Sequence, residues 1–225
     1  MGNTSSSSSS SSSSINYDCN KQSKNNKKYN NKNLKKNKNC SNTIKNNLNC
    51  KKEEPKKNYK LITLGSSGVG KTSISFRFVS NIFITEYDPT VEDAYKKDYV
   101  FDGKELKLEL IDTAGQEEYS SGLHDKAIRS CDGFILVFSI TSRESFQKIK
   151  DLREKILWVK DKDRVPMVIV GNKSDMEKDR RVSKNEARSL AEEFECRYIE
   201  TSAKTSENIE LLFNNILGQV VDKKR

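Results

Sequence analysis

From Tyr59 onward, short apolar runs alternate with stretches whose apolar residues recur at helical spacing. Tyr59–Leu64 reads as a strand and Lys71–Val79 as a helix, with Ile74, Phe76 and Phe78 along it, which together make a βα unit. Tyr99–Ile111 alternates apolar and polar positions on both sides of Asp102-Gly103, a pair suited to positive φ, and predicts a β-hairpin. Gly133–Ile140 and Val165–Val170 are continuously apolar, as strands covered on both faces must be. Helices over about Ser142–Lys160, Ser183–Phe194 and Glu207–Val221 separate these runs from a short strand at Tyr198–Thr201. The expected fold is therefore α/β: six strands, mostly parallel, one antiparallel edge strand, and helices on both faces.

The first 58 residues break this pattern. A serine run, Ser5 to Ser14, leads into a Lys/Asn-rich stretch with few apolar residues, which is expected to stay disordered because it cannot offset chain entropy. We expect two regions, a basic low-complexity tail over 1–58 and one folded domain over 59–225. Charge divides the same way. Residues 1–60 carry 14 lysines against Asp18, Glu53 and Glu54, whereas the remainder is nearly balanced. The overall +9 thus belongs to the tail, and the folded part offers no basic face for nucleic acid. Cys19, Cys40, Cys50, Cys131 and Cys196 have no metal-type spacing and suggest a reduced, intracellular chain; no apolar run is long enough to span a membrane.

Chemistry enters at Gly65-Ser-Ser-Gly-Val-Gly-Lys-Thr72, a G-x-x-x-x-G-K-[ST] pattern between the first strand and first helix. Its glycines let backbone N–H groups curl around phosphate oxygens, Lys71 neutralises charge, and Thr72 offers a hydroxyl to Mg2+. Asp112, at the end of the third expected strand, is a hard oxygen ligand suited to Mg2+ through water. Gly115 can bring an N–H to a γ-phosphate, and Gln116 can hold an attacking water in line. Thr90, in the loop Phe83–Tyr95, can complete the metal shell.

A second constellation reads a base. Asn172-Lys173-Ser174-Asp175 follows a buried strand, and Asp175 can accept from both N1–H and the exocyclic amine of guanine, an arrangement adenine does not match. Such a site discriminates by roughly 10⁴-fold or more, because the wrong base leaves a buried charge unpaired. Asn172 either bonds the base edge or braces neighbouring loops; the Lys173 stem covers the ring. Thr201-Ser202-Ala203-Lys204 can offer a backbone N–H to the guanine carbonyl.

These residues resemble the Ras-like small GTPases, of the Ras and Rap branch, over about residues 58–222. The resemblance is carried most specifically by Asp112-Thr-Ala-Gly-Gln-Glu-Glu-Tyr119, Tyr87-Asp-Pro-Thr-Val-Glu-Asp-Ala-Tyr95, Asn172-Lys-x-Asp175 and Glu200-Thr-Ser-Ala-Lys204. It implies a P-loop fold that binds GDP or GTP with Mg2+ and hydrolyses GTP slowly, with Gln116, Lys71 and Gly115 as the catalytic groups. The implied nucleotide-binding set is Gly65, Ser66, Ser67, Gly68, Val69, Gly70, Lys71, Thr72, Ser73, Phe83, Tyr87, Thr90, Asp112, Gly115, Asn172, Lys173, Asp175, Ser202, Ala203 and Lys204. The implied metal ligands are Thr72, Thr90 and, through water, Asp112. Glu86, Tyr87, Asp88, Pro89, Thr90, Val91, Glu92, Asp93, Ala94 and Tyr95 would form an effector loop beside an open sheet edge at about Ala94–Phe101. Implied partners are an exchange factor, a GTPase-activating protein and effectors with Ras-binding domains, engaged by a monomer.

Three departures from the family modify the expectation. Ser67 replaces the second phosphate-loop glycine of Ras proteins, a position where a side chain can obstruct an activator's arginine. Ser120–His124 holds one extra residue near Gly122, with His124 read as an exposed loop histidine. The C-terminal segment Val221–Arg225 has no cysteine for prenylation, whereas Met1-Gly2-Asn3-Thr4-Ser5-Ser6 fits the myristoylation pattern at Gly2. With the basic tail as second signal, the expected place is the cytoplasm, at the inner face of the cell membrane. The alternative to a cycling switch is an adaptor held in the GTP state with negligible hydrolysis.

Overall fold

The computed structural model describes residues 57–83, 92–113 and 122–223, with the backbone alone for 92, 122–124 and 223. The tail, most of the Phe83–Tyr95 loop and the segment after Thr113 lie outside these residues. Six strands and five α-helices follow in the order β1 (Lys57–Leu64), α1 (Lys71–Ser80), β2 (Glu92–Phe101), β3 (Lys104–Thr113), α2 (Gly122–Ser130), β4 (Gly133–Ser139), α3 (Arg143–Lys160), β5 (Met167–Asn172), α4 (Lys184–Glu193), β6 (Arg197–Thr201) and α5 (Ile209–Lys223).

The sheet order is β2-β3-β1-β4-β5-β6, parallel throughout except for the β2–β3 hairpin. At the hairpin turn both Asp102 and Gly103 have positive φ, 50° and 70°, as the right-handed twist of the flanking strands requires. The α/β fold with one antiparallel edge strand is therefore as expected.

Strand alternation feeds two cores. Ile62, Leu64, Phe134, Leu136, Phe138 and Ile169 pack on one face with α2, α3 and α4. Leu61, Ile135, Val137, Val168 and Val170 pack on the other with α1 and α5. All seven residues of β4 are buried, which accounts for its unbroken apolar run.

Two expectations change. The segment containing His124 is not a loop, because Gly122–Ser130 forms α2. Asp125 and Lys155 pair at 3.5 Å between α2 and α3, and Ala127 and Ile128 are buried, so the helix turns an apolar side to the core. The fifth strand begins at Met167, after Pro166, and continues through Asn172. Pro166 lacks the N–H that a central strand donates, so it stands just outside the strand, although its carbonyl accepts from the Phe134 N–H at 3.0 Å. A 3-10 turn at Ser174–Asp179, absent from the sequence reading, follows the strand.

Candidate functional site

Strand order reverses around β1, whose neighbours are β3 on one side and β4 on the other. The carboxyl ends of β1, β3, β5 and β6 then deliver the phosphate loop, Asp112, Asn172 and Thr201 to one edge of the sheet, where open α/β sheets bind ligands.

The loop after β1 is shaped by close packing. Gly65 has φ +156°, and a Cβ there would collide with the Val137 carbonyl oxygen of β4. Gly70, at φ +96°, opens α1, and a Cβ there would strike the Asn172 amide. Ser67 and Gly68 lie exposed at the loop's rim, while Ser66 and Val69 are buried. Ser142 and Ser183 cap α3 and α4 with their side chains, whereas α1 has no side-chain cap. A helix start without a side-chain cap, directly after a glycine-rich loop, suits an anion. Thr72 and Ser73 stand half-buried in that first turn.

Lys71 is 5% exposed, and its Nζ donates to the Gly65 and Ser66 carbonyls, each at 3.1 Å. Burial lowers its pKa from the ordinary lysine value to about 8, against the opposing pull of Asp112. Anionic phosphate would supply the countercharge that this buried ammonium calls for.

Asp112 is fully buried, and its backbone is in register with Thr63. Its Oδ1 accepts from Thr63 Oγ1 at 3.1 Å, while Oδ2 has no hydrogen-bond partner among the described residues. Burial raises its pKa; hydrogen bonding from Thr72 and Thr63 and the charge of Lys71 pull the other way. An orphaned carboxylate oxygen beside Thr72 fits a hard divalent cation. Among the described residues no three His, Cys, Asp or Glu side chains converge, so such a cation would take its remaining ligands from phosphate oxygens and water.

Asn172 is 2% exposed and joins three loops. Its Nδ2 donates to the Val69 carbonyl at 2.8 Å, and its Oδ1 accepts from Thr201 Oγ1 at 3.2 Å and from the Ala203 N–H at 3.4 Å. Of the two roles open to it from the sequence, the structure displays the brace. Lys173 then adopts φ 68°, an uncommon conformation for a side-chain-bearing residue, and turns the chain into the 3-10 segment. Asp175 is exposed, and its Oδ1 accepts from Ser202 Oγ at 2.6 Å. Ser202 Oγ in turn accepts from the Thr205 N–H at 3.1 Å. The two loops expected to read a base are thereby locked to each other.

Sequence reasoning missed the supports around them. Arg180 makes paired bonds to Glu200 at 2.9 and 3.0 Å and to Glu177 at 2.9 and 2.6 Å, fastening the segment after Asp175 to β6. Arg77 of α1 donates to the Ala203 and Lys204 carbonyls at 2.8 and 2.9 Å, and its guanidinium lies 5.8 Å from the centre of the half-buried Phe83 ring. An arginine on a polar helix face gives no sequence sign of a partner 126 residues away. Glu86, Tyr87, Asp88, Pro89, Thr90, Val91, Gly115, Gln116 and Gly2 lie outside the described residues, as do the side chains of Glu92 and His124. Asp93, Ala94 and Tyr95 sit on β2 at the sheet edge, the first two exposed and Tyr95 half-buried. Burial is the main influence raising the Tyr95 pKa, to about 12.

Comparison with known proteins agrees with this geometry. The family model described as "Ras family" matches residues 60–222. A Ras-like protein of Laccaria bicolor is 46% identical over 162 residues, covering 72% of this chain and 77% of its own length. The glycine-rich loop after β1, the buried Asp112 and the loops joined through Asn172 thus occur in a chain that belongs to the Ras family of small GTPases, GTP-binding switches that hydrolyse GTP.

Proposed function

We propose that residues 59–225 act as a Mg2+-dependent guanine-nucleotide switch, slow to hydrolyse GTP by itself, and that residues 1–58 serve as a basic tail. The observation that carries this reading is the Asn172 side chain, which holds the phosphate loop and the base loop as one rigid site. A brace of this kind fixes the distance between a triphosphate's two ends, and preorganisation converts contacts into affinity.

Gly65 to Ser73 would cradle the phosphates, with Lys71 against the oxygens it is buried to receive. Thr72 and Asp112 would hold Mg2+, which, when bound, offsets phosphate charge. Thr90 would join them, and Gly115 with Gln116 would place the attacking water. Phe83, Lys173 and Tyr87 would cover the nucleoside, Asp175 would accept from guanine N1–H and amine, and Ser202, Ala203 and Lys204 would frame the base carbonyl. Glu86–Tyr95 would form the effector loop, ordered by γ-phosphate, with β2 open to strand addition by an effector. Family members generally work with exchange factors, activators and effectors, and this chain would use all three as a monomer, without nucleic acid. Among the described residues no helix is long and apolar enough to cross a membrane, and peripheral attachment would come from a myristoyl group on Gly2 with the lysine-rich tail.

Single-turnover GTP hydrolysis by the full chain, with and without a Ras-type activator, tests this directly. Acceleration is the expected result. A GTP state unaffected by activator in the wild type yet responsive in Ser67→Gly would favour the adaptor reading, which the exposed Ser67 at the loop's rim supports. Base reading has its own test. An amide at position 175 presents a donor to the C2 carbonyl of xanthine, so Asp175→Asn should shift preference from guanine to xanthine nucleotides; unchanged guanine preference would remove Asp175 from the site.

A further inference from the structure

We infer that Arg77 is a positioning residue for guanine recognition, setting from behind the peptide plane whose N–H reads the base carbonyl. The inference rests on the guanine-nucleotide reading above and deepens it.

Successive amides of the Thr201–Lys204 loop point in different directions. The Ala203 N–H points at Asn172 Oδ1, 3.4 Å away, and the Thr205 N–H is taken by Ser202 Oγ at 3.1 Å. Between them stands the Ala203–Lys204 peptide. Its carbonyl accepts from Arg77 Nε at 2.8 Å. In a planar trans peptide the C=O and N–H point to opposite sides, so this bond turns the Lys204 N–H away from α1. Arg77 Nη2 holds the next carbonyl, that of Lys204, at 2.9 Å. Two bonds from one rigid planar fork fix two successive peptide planes, which a single point donor does not do.

The same guanidinium is 5.8 Å from the Phe83 ring centre, and its Nη1 caps α1 through the Asn81 carbonyl at 2.8 Å. A plain helix-capping role accounts for the Asn81 bond alone. The other two bonds reach residues 126 and 127 positions further along the chain, in the base loop. The helix that begins at the phosphate loop thus also carries, two turns later, the group that orients the base loop.

The test uses the full chain and measures dissociation constants for GDP, 6-thio-GDP and IDP in wild type, Arg77→Ala and Arg77→Lys, with thermal unfolding as a fold control. The thio analogue differs only at the carbonyl position, where it sets a larger and weaker acceptor; IDP lacks only the exocyclic amine that Asp175 would hold. In Arg77→Ala, the dissociation constant for GDP should rise about tenfold, in keeping with loss of hydrogen bonds to a charged donor. Its GDP to 6-thio-GDP ratio should fall towards one, and its GDP to IDP ratio should remain that of the wild type. Arg77→Lys, a cation able to serve one carbonyl, should fall between the two. Equal losses for GDP and 6-thio-GDP, no loss at all, or a wild type indifferent to the carbonyl would each overturn the inference. A wild type that does not prefer GDP to ADP would instead overturn the guanine-site reading on which it rests.

Discussion

Replacing Asn172 by alanine removes one side chain and orphans three groups. Its amide serves the Val69 carbonyl at 2.8 Å, the Thr201 hydroxyl at 3.2 Å and the Ala203 N–H at 3.4 Å, all at a residue 2% exposed. A buried polar group left unpaired costs about 1–3 kcal/mol. The Thr201 hydroxyl can rotate to a new acceptor, and the Ala203 bond is already long, so the expected total is about 2–4 kcal/mol rather than three full penalties. Divided evenly between folding and ligand retention, and at about 1.4 kcal/mol per factor of ten, this predicts GDP dissociation accelerated about 5- to 30-fold. A fluorescent GDP analogue chased with excess GDP gives the rate, and urea unfolding of the nucleotide-free protein gives the stability share. Thr201→Val removes only the hydroxyl bond and should accelerate dissociation less than tenfold. Asn172→Asp keeps the acceptor but sets a carboxylate oxygen against the Val69 carbonyl, so it should not rescue the alanine variant. An Asn172→Ala protein that releases GDP at the wild-type rate would refute the bracing argument.

Three other outcomes follow from the same structure. Lys71 in the nucleotide-free protein titrates near 8, below its unfolded value, so the folded state binds fewer protons than the unfolded state between about pH 8 and 10.5, and stability from this group rises with pH. Cys131 and Cys196, raised by burial to about 12 and about 11, oppose that trend above pH 9. The difference between wild type and Lys71→Met, followed by urea unfolding, should therefore rise from pH 8 to 9, and a flat difference would contradict the burial of a strained ammonium. Arg180→Ala strips a largely buried Glu200 of its paired partner but leaves the Tyr198 hydroxyl at 2.7 Å and Lys184 at 3.3 Å, so the loss should be about 2 kcal/mol, short of the full penalty for a buried pair. An unchanged urea midpoint would show that the pair does not hold the segment. Gly65→Ala forces a Cβ into the Val137 carbonyl and should abolish tight nucleotide binding, read by the fraction of protein purified with GDP; normal occupancy would mean that β4 yields.

Much of this protein was legible from sequence because its signals are local. The unbroken apolar run Gly133–Ser139 announces a strand buried on both faces, Asp102-Gly103 announces the turn between β2 and β3, and Gly65–Thr72 announces the glycine-rich loop that opens α1, each within a few neighbouring residues. The antiparallel edge pair and the placing of Asp112 and Asn172 at strand ends follow from connection rules applied to those elements, whereas the order β2-β3-β1-β4-β5-β6 does not. What only the tertiary structure decided are the pairings between distant segments. Helix α2 is held in place by the burial of Ile128 and by Asp125 meeting Lys155 of α3. Asn172 had two roles open to it until the fold set Val69, Thr201 and Ala203 around its amide. Arg77 and Arg180 look like ordinary surface charges in the chain, and only packing brings them to the carbonyls and carboxylates they hold. Local pattern fixes which backbone conformations are available, whereas the partner of a side chain is set by chain closure, across 20 residues for Arg180 and Glu200 and 126 for Arg77 and Ala203, and nothing local names it.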